Sequence, residues 1–231
     1  MRIAIIPARG GSKRIPRKNI KQFNGKPVIA YSIEAAIKSG CFDKVIVSTD
    51  SAKIAKISKK YNAEVPFIRP ADIATDSSNS YDVLKHAYKT LEKQEESYSY
   101  IVMLQPTSPL RTSVHIDEAA KLLENKNADG VLGVTELMHP IEWSIALPSS
   151  LEMTDFINFD KSLNSQAFEK RYSLNGAIYI TSINRMEIED SHIYGSSMYA
   201  YIMNPEDSID IDSTYDFELA KYFISKRLKN Q

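Results

Sequence analysis

Short, continuously apolar segments alternate with segments of helical periodicity along the first half of the chain. The first, from Ile3 to Ala8, is apolar throughout and rich in isoleucine, which is typical of a strand buried on both faces. Similar segments predict strands over residues 44–49, 64–68, 100–104 and 130–135. Apolar residues at helical spacing predict helices over residues 27–37, 52–61, 80–95 and 114–124. This alternation predicts a three-layer α/β domain with a mainly parallel sheet, whose ligands bind beyond the carboxyl ends of the strands.

The alternation is interrupted between Met138 and Ser173 by a polar stretch with two short apolar segments. We interpret residues 138–173 as an inserted arm that makes an oligomer contact, rather than as a second domain. Strands are then predicted over 175–180 and 199–203, followed by an amphipathic helix over 213–228. We therefore predict one domain over residues 1–231 with the arm inserted in it.

Composition excludes several classes of protein. The chain has 231 residues with 29 basic and 29 acidic side chains, so no global positive charge attracts nucleic acid or an anionic membrane. Its one cysteine, Cys41, excludes an internal disulfide framework, and its four histidines lack metal-ligand spacing. No apolar run approaches the roughly 20 residues that span a bilayer, and we see no signal peptide. We expect a soluble, cytoplasmic protein.

A basic loop directly follows the first predicted strand. Residues 9–19 contain two glycines and five cations: Arg9, Lys13, Arg14, Arg17 and Lys18. Glycines let backbone N–H groups approach phosphate oxygens, and the cations supply compensating charge. The loop matches neither the Walker A pattern nor Gly-x-Gly-x-x-Gly. A solvated basic loop is the alternative, but the position after the first strand of an α/β sheet favours an anion site.

Asp210 and Asp212 form a candidate magnesium site. In an extended segment residues i and i+2 point to the same side, so both carboxylates converge while Ile209 and Ile211 face the other way. Mg²⁺ usually takes one or two carboxylates together with substrate phosphates and water. The alternative is that Asp212 caps the last helix and Asp210 is merely exposed.

Five stretches together resemble the cytidylyltransferases that act on sialic-acid-type sugars, including the legionaminic and pseudaminic acid enzymes. They are Pro7–Lys13 with Pro16, Lys18 and Asn19; Arg69–Ala71 with Asp76 and Ser80; Leu104–Arg111; Asn175–Ile180; and Asp207–Asp212. They occur in the family's order over nearly the whole chain. The resemblance implies a nucleotide-diphospho-sugar transferase-like, Rossmann-like fold and a homodimer that exchanges the inserted arm.

The resemblance also implies the chemistry. A nine-carbon 2-keto sugar acid is joined through its anomeric hydroxyl to CMP from CTP, and pyrophosphate is released, with Mg²⁺ as cofactor. The implied nucleotide-binding residues are Arg9, Ser12, Lys18, Asn19, Arg69 and Ser80. The residues implied to face the sugar are Gln105, Asn175 and Tyr179. The implied catalytic residues are Arg9 and Lys18 with the metal ligands Asp210 and Asp212. Considered as structure alone, Gln105 could belong to a rigid turn and Tyr179 to the core.

The match is weaker in the sugar half of the chain. Members that act on neuraminic acid carry a lysine soon after the His-Pro of the insertion, where this chain has Glu142; Lys170 or Arg171 could substitute. At positions 14 and 17, the arginines of this chain resemble the residues of the legionaminic and pseudaminic acid enzymes more than those of the neuraminic acid enzymes. Two alternatives remain open. One is a metal-dependent glycosyltransferase, because Asp210-Ile211-Asp212 is an Asp-x-Asp motif, and the other is a non-catalytic nucleotide-sensing module.

Overall fold

The computed structural model describes residues 2–93, 97–153, 168–188 and 197–229. Its strands are β1 Arg2–Pro7, β2 Gln22–Phe23, β3 Lys26–Pro27, β4 Lys44–Ser48, β5 Tyr100–Met103, β6 Gly130–Glu136, β7 Tyr172–Ser182 and β8 Met198–Ile202. Its α-helices are α1 Val28–Ser39, α2 Ala52–Lys60, α3 Ser80–Glu92, α4 Ser113–Lys126, α5 Ile183–Ile188 and α6 Thr214–Lys229. Within the described ranges, no helix has the length and apolar character needed to cross a membrane.

Six of the described strands form a mainly parallel central sheet in the order β4-β1-β5-β7-β6-β8, and β2 and β3 form a separate antiparallel pair. β1 runs parallel to β4 and β5, and β6 runs parallel to β8. β7 alone is antiparallel to its neighbours β5 and β6. The loops that follow β1, β5 and β8, and the beginning of β7, therefore meet at one edge of the sheet.

The buried side chains of the sheet alternate between two faces. Ala4 and Ile6 belong to a core cluster with residues of α1, α2 and α4. Ile3 and Ile5 belong to a second cluster, with residues of α3 and α5. Because both faces of the sheet are covered, its strands are apolar at almost every position, as the continuous apolar segments predicted. The three-layer α/β architecture is confirmed.

Local signals define where the helices begin and end. The Ser51 side chain accepts a hydrogen bond from the Ile54 N–H at 3.4 Å and caps α2. Gly40 ends α1 with a left-handed φ of 65°. Thr112 caps α4 in a reciprocal pair of hydrogen bonds with His115.

Two predicted boundaries are corrected by the structure. The strand predicted over 64–68 is reduced to a single bridge between Glu64 and Ile46, since Pro66 has no N–H to extend a ladder. The end of the predicted arm overlaps a strand: β6 stops at Glu136, before the arm, but β7 already starts at Tyr172. The arm is thus a long connection between two antiparallel strands. Its residues 154–167 lie outside the described part of the chain, including Phe156 and Phe159.

Candidate active site

A cleft of about 560 Å³ opens at the carboxyl edge of the sheet, beyond β1 and β5. Most of the site residues proposed from the sequence line it: Arg9, Ser12, Lys18, Asn19, Arg69, Ser80, Gln105 and Asp212. Asp210 adjoins the cleft because its side chain is hydrogen bonded to Thr107, which is itself a lining residue. These residues come from parts of the chain as far apart as positions 9 and 212, so the fold assembles them.

The loop after β1 approaches β4 closely. The Gly10 N–H donates to Asp50 Oδ1 at 2.8 Å, and a Cβ on Gly10 would lie only 3.1 Å from Cβ of Ser51. A side chain at position 10 would require the loop or Ser51 to move by a few tenths of an ångström. The Asn19 side chain donates to the Arg9 carbonyl at 3.0 Å, which connects the two ends of the loop.

The cations of this loop are paired with carboxylates of the chain. Arg9 and Lys13 both form ion pairs with Asp76, in the connection before α3. These pairs and their hydrogen bonds lower the pKa of Asp76, so the carboxylate stays charged. Arg14 forms an ion pair with Asp212 at 3.0 Å. These cations are therefore paired with exposed carboxylates, which another anion can replace.

Lys18 connects the basic loop to the carboxylate segment. It lies in a short 3₁₀ turn, Lys18–Ile20, that the chain enters through Arg17 with a left-handed φ of 55°. Its side chain is only 14% exposed. The ammonium donates to the Ile211 carbonyl at 2.5 Å and to Asp212 Oδ1 at 3.1 Å. Lys18 thus serves both as a cation of the cleft and as a link between its two walls.

Asp210 and Asp212 lie in the connection between β8 and α6, after its 3₁₀ turn Pro205–Asp207. Ile211 between them is fully buried in the cluster under α6, and Ile209 packs against the same cluster. Asp210 is half-buried and Asp212 exposed. The isoleucines therefore face the core on one side, and the carboxylates face away from it, as the i, i+2 spacing predicted.

The two carboxylates differ in environment. Burial raises the pKa of Asp210; a hydrogen bond from Thr107 lowers it, and the nearby Asp212 charge raises it further. Among the described residues, Asp210 Oδ1 is buried and has no hydrogen-bond partner. A buried carboxylate oxygen without a donor is suited to a hard cation. The described part of the chain has no group of three or more His, Cys, Asp or Glu placed to hold a metal ion, so a cation here would need ligands from substrate or water.

The capping alternative for Asp212 does not hold. The Ser213 side chain accepts from the Asp216 N–H at 3.3 Å, and Asp216 Oδ2 accepts from the Ser213 N–H at 2.7 Å. This reciprocal pair occupies the N-terminus of α6. Asp212 is left to interact with Lys18 and Arg14 across the cleft.

Arg69 and Ser80 form the far wall of the cleft. Arg69 is buried, and its backbone N–H donates to the Thr49 carbonyl at 2.8 Å. Burial lowers its pKa, the Asp50 charge opposes this, and the Arg9 charge adds to it. Ser80 is the first residue of α3, directly after the cap Asn79. A ligand group at this wall would meet a helix N-terminus and a desolvated guanidinium.

The three residues predicted to face the sugar have different surroundings. Gln105 lines the cleft, and its side-chain oxygen accepts from Thr107 Oγ1 at 3.3 Å. Asn175 is 5% exposed, and its amide is hydrogen bonded to the backbone of Ala177 and to Ser208. Tyr179 is not among the lining residues; it is 8% exposed within the core cluster beneath α3. Of the three, the structure brings only Gln105 into the cleft lining.

Two residues of the site belong to the family motifs but were given no role from the sequence. Asp76 pairs with Arg9 and Lys13, and nothing in its local sequence predicts that pairing. Arg111 is 2% exposed, and one guanidinium nitrogen donates to the carbonyls of Gln105 at 3.2 Å and Ala177 at 2.8 Å. Burial lowers its pKa to about 9. Burial of an arginine depends on distant contacts, so only its place in the Leu104–Arg111 motif could have indicated it.

Comparison with known families gives one clear assignment. The family described as cytidylyltransferase matches residues 3–186. The chain is 39% identical to N-acylneuraminate cytidylyltransferase of Escherichia coli, over 94% of this chain and 51% of that protein. It is 34% identical to pseudaminic acid cytidylyltransferase of Campylobacter jejuni, over 95% of this chain and 94% of that protein.

A third relative is the CMP-N,N'-diacetyllegionaminic acid synthase of Legionella pneumophila, 33% identical over 95% of this chain and 94% of that protein. The chain thus spans about half the length of the Escherichia coli relative and nearly all of the other two. Among solved structures, a CMP:2-keto-3-deoxy-manno-octonic acid synthetase complexed with CTP is similar in fold. Its TM-score is 0.71 at 13% identity, covering 98% of this chain and 99% of that one.

Proposed function

The chain belongs to the cytidylyltransferase family, and from that premise we propose that it transfers CMP from CTP to a sialic-acid-like nonulosonic acid. The substrate is of the neuraminic, legionaminic or pseudaminic type, and the products are the CMP-sugar and pyrophosphate. The observation that carries the proposal is the cleft itself, which has a cation-rich loop on one wall and a pair of carboxylates on the other. A triphosphate and a divalent cation need these two kinds of group.

In this proposal the basic loop holds the triphosphate of CTP. Arg9, Ser12, Lys18 and Asn19 all line the cleft. Arg9 can exchange its ion pair with Asp76 for phosphate oxygens, since that pair lies at the partly exposed cleft wall. Arg69 and Ser80, at the far wall, are assigned to the cytosine and ribose.

We assign a magnesium ion to Asp210 and Asp212. The unpartnered buried oxygen of Asp210 and the exposed oxygens of Asp212 fit a hard cation that also takes phosphate oxygens and water. When bound, such an ion offsets phosphate charge and polarises the phosphoryl oxygens. Lys18 supports the site because it orients Asp212 and holds the intervening Ile211 carbonyl.

The reaction is an in-line displacement at the α-phosphorus. The anomeric oxygen of the sugar acid forms a bond to the α-phosphorus, and the bond from that phosphorus to the α,β-bridging oxygen breaks. Pyrophosphate leaves with the electron pair, and the hydroxyl proton is released to solvent. The chain contributes binding, orientation and charge, with Gln105 positioned for the sugar. Because CTP is a cytoplasmic nucleotide, the proposed reaction occurs in the cytoplasm.

We also propose a homodimer that forms through the arm of residues 138–173. In the described part of the arm and the strand that follows it, large apolar side chains are exposed. They are Met138, Ile141, Trp143, Ile145, Leu147, Leu151, Met153, Tyr172 and Leu174. A concentration of exposed apolar residues in one segment is typical of a surface that another chain covers.

The proposal is tested by mixing the protein with Mg²⁺, each of CTP, UTP, ATP and GTP, and each of the three sugar acids. We expect a CMP-sugar and an equal amount of pyrophosphate, with CTP alone among the nucleotides and with one acid preferred. Binding of CTP without turnover of any acid would favour the sensing module. Transfer of sugar from a nucleotide sugar to an acceptor would favour the glycosyltransferase, for which the Asp-x-Asp motif is the sole support.

A further inference from the structure

The amide of Asn175 lies in a fully directed chain of hydrogen bonds. The Ala177 N–H donates to Asn175 Oδ1 at 3.0 Å, so this atom must be the oxygen of the amide. The amide nitrogen then donates to Ser208 Oγ at 3.0 Å, and the Ser208 hydroxyl donates to the Asn204 carbonyl at 2.8 Å. The donor and the acceptor of each of these hydrogen bonds are therefore fixed. Turning the Asn175 amide by 180° would break both of its hydrogen bonds.

The surrounding structure is shaped to hold this amide. β7 carries extra residues here, because its pairing with β6 shifts register between Leu132 and Val134. Gly133 lies opposite the shift, and a Cβ there would come within 2.7 Å of Asn175 Oδ1. Since Asn175 is 5% exposed and both ends of its amide are bonded within the chain, a sugar would have to displace these bonds to reach it.

Ser208 begins the stretch that carries the two carboxylates. Ser208 ends the 3₁₀ turn Pro205–Asp207 and lies two residues before Asp210. Its backbone is held at Ile211, whose N–H donates to the Thr107 carbonyl at 2.8 Å. On the β7 side the Asp210 carboxylate reaches within 3.7 Å of the place where a Cβ on Gly176 would lie. The bond from Asn175 to Ser208 therefore ties β7 to the segment that carries Asp210.

We infer that Asn175 is a positioning residue, which places Asp210 for the metal through Ser208 and does not contact the sugar. The inference rests on the proposed metal site of Asp210 and Asp212. It revises the role that the family resemblance implies for Asn175. Removal of a residue that orients a metal ligand typically weakens metal affinity by roughly 10–100-fold.

The test measures Mn²⁺ binding to the CTP complex by electron paramagnetic resonance, with no sugar present. We expect Asn175→Ala and Ser208→Ala each to weaken Mn²⁺ binding by about tenfold or more, the range typical of such partners. The double variant should be no worse than either single one, since both remove the same bond. Ser208→Thr keeps the hydroxyl and should therefore bind Mn²⁺ as tightly as the wild type does. Thr181→Ala, a buried change in the same strand, should leave Mn²⁺ binding unchanged.

Steady-state kinetics complete the test. We expect the half-saturating Mg²⁺ concentration to rise in Asn175→Ala and Ser208→Ala, with the KM of the sugar acid little changed at saturating Mg²⁺. Normal Mn²⁺ binding with a raised sugar KM in Asn175→Ala alone would overturn the inference and return Asn175 to the sugar. If Asp210→Asn also bound Mn²⁺ normally, the proposed metal site itself would be wrong, which is a separate outcome.

Discussion

At the scale of single residues, carboxylates of the chain offset part of the positive charge of the cleft. Arg9 and Lys13 pair with Asp76, and Lys18 and Arg14 pair with Asp212. Five cations within eleven residues would repel one another in the free protein, and these carboxylates reduce that repulsion. A bound triphosphate would supply the same negative charge. In the proposed function, substrate binding is therefore an exchange of carboxylate for phosphate at Arg9.

This exchange predicts an unusual variant. Asp76→Asn should lower the CTP concentration for half-saturation by several-fold, because Arg9 and Lys13 no longer have to leave a charged partner. Binding of CTP to the free enzyme, measured by calorimetry, checks this. Asp72→Asn, in the same connection, is the matched control and should have no effect. Weaker CTP binding in Asp76→Asn would mean that this carboxylate contacts the substrate.

The carboxylate pair gives a second prediction. Asp210→Asn and Asp212→Asn should each lower turnover by orders of magnitude, because each removes a charged ligand while size is kept. CMP-sugar formation over a Mg²⁺ titration is the measurement. Asp117→Asn, at a partly exposed site on α4, makes the same charge change and should leave turnover unchanged. Near-normal rates at low Mg²⁺ in both variants would remove the metal-site assignment.

The same variants should differ in stability without ligand. The pKa of Asp210 is raised by burial, so its charge opposes folding at neutral pH, and Asp210→Asn should leave the melting temperature unchanged or raise it. Asp212→Asn loses two ion pairs at an exposed carboxylate, which contribute little. A large fall in melting temperature for either variant would indicate a structural role instead.

At the scale of elements, α4 connects the sheet to the segment that carries the carboxylates. His115 accepts a hydrogen bond at Nδ1 from the Thr112 N–H at 3.2 Å, so this nitrogen is unprotonated. Its Nε2 lies 3.6 Å from Asp207, which also pairs with Arg227 of α6. The start of α4, the end of α6 and the turn before Ser208 thus share one cluster.

This cluster predicts a pH dependence of stability. Burial lowers the pKa of His115, and the Arg227 charge lowers it further. The unfolded chain therefore takes up a proton more readily, so stability should fall as the pH drops below the ordinary histidine pKa of about 6.5. His115→Gln keeps an acceptor in the capping box but cannot titrate. Its melting temperature should fall less between about pH 7.5 and pH 5.5 than that of the wild type.

An unchanged slope in His115→Gln would show that His115 does not titrate in this range. Some slope should remain in the variant, because burial also lowers the pKa of His86. Protonation of Nδ1 would remove the bond to Thr112, so the loss of stability should begin at the start of α4. Hydrogen exchange of the first amides of α4 can locate it.

At the scale of the whole molecule, the arm is the feature that the domain core does not need. It connects two antiparallel strands, and the described part of it has exposed Trp143, Ile145 and Leu147. Trp143 contacts Phe168 from the other side of the arm, with ring centroids 6.2 Å apart. The arm is thus held partly together while its apolar surface stays exposed, which is the basis for the proposed dimer.

We predict that Ile141→Asp shifts the protein from dimer to monomer at micromolar concentration. An unpaired carboxylate in an apolar contact costs more than the roughly 2–7 kcal/mol of an unpaired neutral polar group. Light scattering measures the mass directly. Tyr222→Asp on α6 introduces the same charge at an exposed aromatic and should leave the dimer intact. A wild-type monomer at these concentrations would contradict the dimer before any variant is made.

The sequence by itself determined the elements and the side of the sheet on which the site lies. Strands such as β1 are recognisable because both faces are buried, and helix starts such as Ser51 and Thr112 carry their own caps. The basic loop follows β1 directly, and in parallel sheets such loops share one edge. The i, i+2 spacing of Asp210 and Asp212 is likewise local, so its geometry could be predicted.

Only the tertiary structure decided what depends on distant partners. The antiparallel direction of β7 brings Asn175 to the site edge, and the register of that strand turns Tyr179 into the core beneath α3. The burial of Arg111 and the pairing of Asp76 likewise join residues far apart in sequence. No local pattern encodes such contacts, because they form only when the strands pack in a particular order and register.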